Sequence, residues 1–163
     1  MNFIPNPLHP ALVHFPIALI LLGTLIAIPA VFLRRFHLPW ISAIVLGLGA
    51  IGAVAATWSG EEDGEKQESM PPQAKEVLDE HEEWGERARN LALLAAAAAI
   101  ASAALRRSPV AARSAAGFAA LAAIGASMCV AEAGHYGGKL VYQYGVGMNS
   151  NTGQAAAPSN SDD

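Results

Sequence analysis

Four stretches of the chain carry no formal charge: residues 11–33, 38–60, 90–105 and 114–131, which are 23, 23, 16 and 18 residues long. A helix that crosses a bilayer needs about 20 predominantly apolar residues. The pattern therefore predicts an all-α fold, a four-helix transmembrane bundle. The third stretch is the shortest and mostly alanine. It extends back over Trp84 if Glu86, Arg87 and Arg89 lie at headgroup depth.

The ends of these helices follow from proline and glycine. Pro16 falls in the first turn of the first helix, where its missing N–H costs little. Pro29 lies deep in the same helix and predicts a kink or an early end. Pro39 is a favoured first-turn residue for the second helix. The third helix is expected to begin before the membrane, near Pro72, because 75–86 pairs opposite charges three or four residues apart. Ser108-Pro109 separates the third helix from the fourth, and Gly134, Gly137 and Gly138 are expected to end or distort the fourth. The membrane domain is expected over 1–148. The tail over 149–163, rich in Ser, Asn, Gly and Ala, reads as disordered.

Charge placement adds an orientation. Eleven of the 14 acidic residues lie between Glu61 and Glu86, so the connection between helices 2 and 3 is acidic and partly helical. The two short turns carry Arg34 with Arg35, and Arg106 with Arg107 and Arg113. Short positive loops stay cytoplasmic. Both termini and the acidic connection are then on the outer side of a bacterial inner membrane, periplasmic or extracellular. The first ten residues hold no Lys or Arg, so they do not form the basic start of a cleaved signal peptide. The first helix reads as a retained span.

The whole composition agrees with this reading. Hydrophobic residues make up 53% and charged residues 15%, both shifted toward lipid from the averages of soluble domains. A net charge of -4 leaves no basic footprint for nucleic acid. The single cysteine, Cys129, excludes an internal disulfide and a thiolate zinc cluster.

Histidine carries the chemistry. On this topology His37 sits in a cytoplasmic turn beside Trp40 and reads as an interfacial anchor. His9, His14, His81 and His135 fall instead at the outer ends of three segments, at one depth. Ionisable residues in membrane segments usually face a bundle interior or a cavity. Imidazole is a common metal ligand and the axial ligand of b-type haem. The four histidines are therefore candidate cofactor ligands, with His14 and His135 the favoured haem pair. His9 and His81 form a second pair, or tune the first. Gly47, Gly49, Gly52, Gly117 and Gly125 are small enough to admit a porphyrin, and equally suited to close helix packing.

A non-haem metal competes. Glu132 and His135 are three apart, which places them on one helix face, with Met128 on that face and Cys129 beside it. Glu62, Glu80 and Glu82 add carboxylates near His81. His14, His81, His135, Glu62 and Glu132 are the candidate set for Zn, Cu or Fe. The acidic block is equally explained as a solvated helix face. The run Gly47-Leu48-Gly49-Ala50-Ile51-Gly52 matches a dinucleotide fingerprint by letter only, since it lies inside an apolar span with no preceding strand. No nucleophile constellation or phosphate loop is present, so any catalysis needs a cofactor or metal at the histidines, and whether the chain is an enzyme stays open.

Two motifs carry a resemblance. His9-Pro10-Ala11-Leu12-Val13-His14-Phe15-Pro16-Ile17-Ala18-Leu19 resembles the HPxxVHFPIAL start of a group of bacterial membrane proteins, domain of unknown function 2231. Gly134-His135-Tyr136-Gly137-Gly138-Lys139-Leu140-Val141-Tyr142 resembles its GHxGGxLVY signature, followed by Gly145-Val146-Gly147. Ser59-Gly60-Glu61-Glu62 and His81-Glu82 resemble the acidic turn after its second helix and the start of its third. The likeness covers about residues 7–148. It implies a four-helix membrane domain and picks out His9, His14, His81 and His135.

Three functions are expected from these readings. The first is a b-type haem protein that carries electrons between a quinone and a periplasmic cytochrome or similar acceptor. The second is a transition-metal protein in sensing, homeostasis or transport. The third is a structural or assembly subunit of a membrane complex.

Overall fold

Helix is the only regular structure among the described residues, which in the computed structural model are 9–33, 37–65, 70–105 and 107–146. A single turn, α1 (His9–Leu12), leads into α2 (His14–Ala30), and then come α3 (Leu38–Glu65), α4 (Pro72–Ala104) and α5 (Pro109–Tyr144). Val13 joins α1 to α2 without losing the hydrogen-bond ladder. Its N–H bonds the His9 carbonyl at 3.1 Å, and its own carbonyl accepts from Ile17 at 3.2 Å.

The helix ends follow proline closely. Helix α2 stops at Ala30, one residue past Pro29. Pro39, Pro72 and Pro109 each lie in the first turn of their helices, where no donor is needed. His37 takes a left-handed φ of 58°, and its carbonyl accepts from Trp40 and Ile41 at 2.9 and 3.0 Å. It thereby starts α3.

Two expectations need correction. Gly134, Gly137 and Gly138 do not end or distort the last helix, because α5 runs through all three to Tyr144. The stop is Gly145, with φ 68°, a left-handed cap that favours glycine. Its N–H bonds Val141 and that of Val146 bonds Leu140, each at 3.0 Å. The second apolar helix runs past Gly60 to Glu65. The acidic block therefore belongs mostly to the ends of α3 and α4 rather than to a separate helical connection. The expected disordered tail over 149–163 lies outside the described residues.

Helix α4 has 33 residues and α5 has 36, so each is about 50 Å long. Among the described residues, two helices are long and apolar enough to cross a membrane, 38–62 of α3 and all of α5; α2, at 17 residues, is apolar but shorter. The principal contacts close a ring, α2 with α3, α3 with α4, α4 with α5 and α5 with α2.

The interior of this ring is mostly alanine. Ile20 and Leu46 are the large side chains fully enclosed, whereas Leu25, Ile51, Trp58, Phe118, Leu121 and Met128 are each more than 60% exposed or close to it. Small residues inside let helices approach closely. Large apolar side chains outside have no protein partner in the ring. Glycines complete the fit. A Cβ on Gly23 would stand 2.6 Å from Leu46, one on Gly49 3.2 Å from Ile20, and one on Gly125 3.2 Å from Leu91. Gly47 and Gly117 meet nothing within 4 Å.

Polar links cross the apolar interior. The Thr24 hydroxyl on α2 shares its proton between the Ile20 carbonyl at 2.8 Å and the Ala123 carbonyl of α5 at 3.0 Å. The Ser127 hydroxyl lies 2.9 Å from it. Near the far end, Ser102 of α4 donates to the Ala112 carbonyl of α5 at 2.8 Å.

The two helical hairpins are built alike. Pro16, Ile20, Gly23, Thr24, Ala27 and Ala30 are buried in α2. Their counterparts 72 positions on, Ala88, Ala92, Ala95, Ala96, Ala99 and Ser102, are all buried in α4. Along α3 and α5 the shift is 77 (Pro39 to Ala116), and Pro39, Ser42, Ala43, Leu46 and Gly49 match Ala116, Ala119, Ala120, Ala123 and Ala126, all buried.

Candidate functional site

The helices part at the end of the ring away from the arginine turns. There α1, the start of α2, the end of α3, the start of α4 and the end of α5 enclose a cavity of about 720 Å³, within the roughly 300–1,000 Å³ range of ligand pockets. Its walls include Val13, Ile17, Ile20, Ala53, Ala56, Leu78, Val130 and Leu140. Val146, just past the glycine cap of α5, closes one side.

Two of the expected histidines line this cavity, His9 and His81. Their ring centroids are 5.9 Å apart, with the planes at 89°. Each ring is pinned to the second helix of its own hairpin. His9 Nδ1 lies 2.9 Å from the Ala56 carbonyl and 3.2 Å from Ser59 Oγ. His81 Nδ1 lies 2.8 Å from the Ala133 carbonyl. A carbonyl oxygen only accepts, so Nδ1 carries the proton in both rings. In the neutral rings Nε2 then holds the lone pair.

Glycine makes room for each ring. A Cβ on Gly60 would stand 3.0 Å from His9, and one on Gly137 would stand 3.2 Å from His81. Each glycine lies four residues after the carbonyl its histidine uses. The two halves thus repeat one device, an Ala-x-x-x-Gly turn of the second helix seating a histidine from the start of the first. Sequence reasoning missed Ala56, Gly60, Ala133 and Gly137 as parts of a site. The signal was present in those two Ala-x-x-x-Gly runs, whose alanines follow the two histidines by 47 and 52 residues.

The other expected ligands stand elsewhere. His14 and His135 are exposed and do not line the cavity; His135 instead meets Tyr136 edge to face at 5.6 Å. Glu62 and Glu132 are also exposed and outside it. Among the described residues no three His, Cys, Asp or Glu side chains converge as a metal set. The five expected together, His14, His81, His135, Glu62 and Glu132, are therefore not a ligand cluster. Helix α5 turns Met128 outward and Cys129 inward, and Glu80 is exposed.

The cavity rim is acidic. Glu61, Asp79, Glu82, Glu83 and Glu86 line it, and no Lys or Arg does. A Cβ on Gly64 would meet Glu82 Oε1 at 2.8 Å, so α3 also yields space to that carboxylate. Basic groups stand just behind the rim. Arg87 pairs with Glu83 and lies 4.6 Å over the Trp84 ring. Arg89 lies 3.7 Å from Glu86 and 3.4 Å from the hydroxyl of Thr57, a lining residue.

No curated protein and no solved structure matches this chain. A family profile described as "Predicted membrane protein (DUF2231)" matches residues 5–150, a span that takes in the ring of helices and the whole cavity. Both motifs that carry the resemblance, with the histidines and glycines that build the cavity, lie inside that match, and the chain belongs to this family of membrane proteins of unknown function.

Proposed function

We propose that this protein binds one b-type haem between His9 and His81 and carries electrons at the outer face of a bacterial inner membrane. The observation that carries the reading is the pair of pinned imidazoles in one cavity. A metal-bound histidine characteristically gives its other ring N–H to a carbonyl or carboxylate, and both rings do so. Metal–imidazole bonds are about 2 Å long, which sets two opposite ligands with ring centroids roughly 6 Å apart. The 5.9 Å between His9 and His81 fits that spacing.

Haem iron asks the protein for two axial ligands only, whereas a non-haem centre needs three or four. The residues present suit the former. Ala53, Ala56, Gly60, Gly134 and Gly137 keep the walls small, and Arg89 stands behind the rim, paired with Glu86 and 3.4 Å from the Thr57 hydroxyl. Bound haem supplies one-electron chemistry; the chain positions the rings, sets their tautomer and limits water. Its redox partners are a membrane quinone or a periplasmic cytochrome.

The alanine interior and apolar exterior support four spans, with lipid as the outer partner. Trp40 and Trp58 are both exposed on α3. They stand about 27 Å apart along the helix, close to the thickness of a hydrocarbon core, as aromatic belts do. The arginine turns then face the cytoplasm and the cavity faces outward.

An absorbance spectrum of the detergent-purified protein, expressed with haem supplied, tests this. A Soret band is expected in the wild type, shifted and weakened in His9→Ala and in His81→Ala, and lost when both are replaced. A wild type without any Soret band overturns the reading. The same hydrogen bonds favour one other reading, a structural subunit whose histidines tie α1 to α3 and α4 to α5. It predicts no haem and lowered stability in both variants.

A further inference from the structure

We infer that the chain is a fused pair of one helical hairpin, and that its cavity lies on the axis relating the two, so that His9 and His81 are interchangeable ligands of one centre. Three independent features carry this. The first is the matched burial along α2 and α4, and along α3 and α5. The second is the contact ring, which is unchanged when α2 is exchanged with α4 and α3 with α5.

The third is where the voids lie. The cavity takes its lining in such pairs: His9 with His81, Ala56 with Ala133, Gly60 with Gly137. A second, much smaller void lies toward the arginine turns. Every residue lining it belongs to a pair at the same two shifts, Ala27 with Ala99 and Ser42 with Ala119 among them. Both voids thus sit where the two hairpins meet about a common axis.

This placement limits the ligand class. A molecule with a distinct head and tail needs different groups on its two sides. Here both sides offer the same group, an imidazole whose Nδ1–H meets a carbonyl of the helix behind it. A metal centre with two opposite open positions uses both alike. That the centre is haem rests on the reading above; the equivalence of the two rings does not. Gly60 and Gly137 are the matching positioning residues, each setting how near its histidine lies to the helix behind it.

Histidine-selective 15N NMR of the full-length, ligand-free protein in lipid nanodiscs tests the equivalence without haem. His9 and His81 are expected to give the same tautomer, with the proton on Nδ1 and none on Nε2. His9→Ala and His81→Ala assign the signals, and Gly60→Ala and Gly137→Ala each shift only their own ring. Opposite tautomers, with one ring donating to the other, would overturn the inference and leave a hydrogen-bonded pair. In haem-loaded protein, either single His→Ala variant is expected to give the same change from low to high spin and the same loss of affinity. Losses that differ more than tenfold would also overturn it. If no haem binds, the haem reading fails and the NMR result still decides the equivalence.

Discussion

His9 and His81 begin two different hairpins, yet their ring centroids lie 5.9 Å apart with the planes at 89°, each ring fixed to the helix behind it by an Nδ1–H bond to a carbonyl. His14 and His135, at comparable positions in the sequence motifs, are exposed. Replacing either by Ala is therefore expected to leave bound haem and the Soret maximum unchanged. Pyridine haemochrome assays of the two variants check this.

Gly137 and Gly138 are adjacent in α5 but not equivalent. A Cβ at 137 meets His81 at 3.2 Å, while one at 138 meets nothing within 4 Å. Gly138→Ala is expected to stabilise α5 by about 0.5–1 kcal/mol, the usual gain in a helix interior. Gly137→Ala gains the same helix propensity and displaces His81, so ligand binding falls. Thermal unfolding and haem titration on the same samples separate the two effects.

Gly23 is the tightest of the packing glycines. Its missing Cβ would stand 2.6 Å from Cδ2 of Leu46, one of the two large side chains fully enclosed. Gly23→Ala is expected to cost about 1–3 kcal/mol by overpacking. Adding Leu46→Ala should recover part of that loss, read by the double-mutant cycle.

Thr24→Val tests the polar link between α2 and α5. It removes the hydroxyl shared with the Ala123 carbonyl and Ser127. Interhelical hydrogen bonds inside membranes are worth roughly 0.6 kcal/mol, up to about 1.7. A loss in that range is expected in a reversible unfolding assay, with haem content unaffected.

Orientation is open to labelling. In a Cys129→Ala background, Gln143→Cys beside the cavity end is expected to react with an impermeant maleimide added to intact spheroplasts. Arg107→Cys should react only after permeabilisation. The reverse pattern would place the arginine turns outside.

The helices were legible in the sequence because charge and proline mark where the apolar segments begin and stop. The position of Pro29 foretold the end of α2, and Pro72 and Pro109 the starts of α4 and α5. The glycines of α5 misled because glycine permits a break without imposing one. A glycine also serves where a neighbour needs the Cβ volume, and that neighbour, His81, is 56 residues from Gly137 (137 − 81). The choice among four histidines was not legible either. Depth in the bilayer places a residue along a helix, whereas facing inward depends on rotation about it. In alanine-rich helices almost every face looks alike, so rotation leaves little trace in the pattern. The repeat held the missing information, since matching one hairpin to the other selects His9 with His81 and gives His14 no histidine counterpart.

The connection over 66–71 joins two halves with the same order of neighbours round the ring, and the helix ends on either side of it lie at the cavity end. Chain order then carries little of the architecture. A circular permutant opened within 66–69, with a linker from residue 146 to residue 9, would run the second hairpin first, build the same ring, and bring the two histidines together from the opposite direction along the chain.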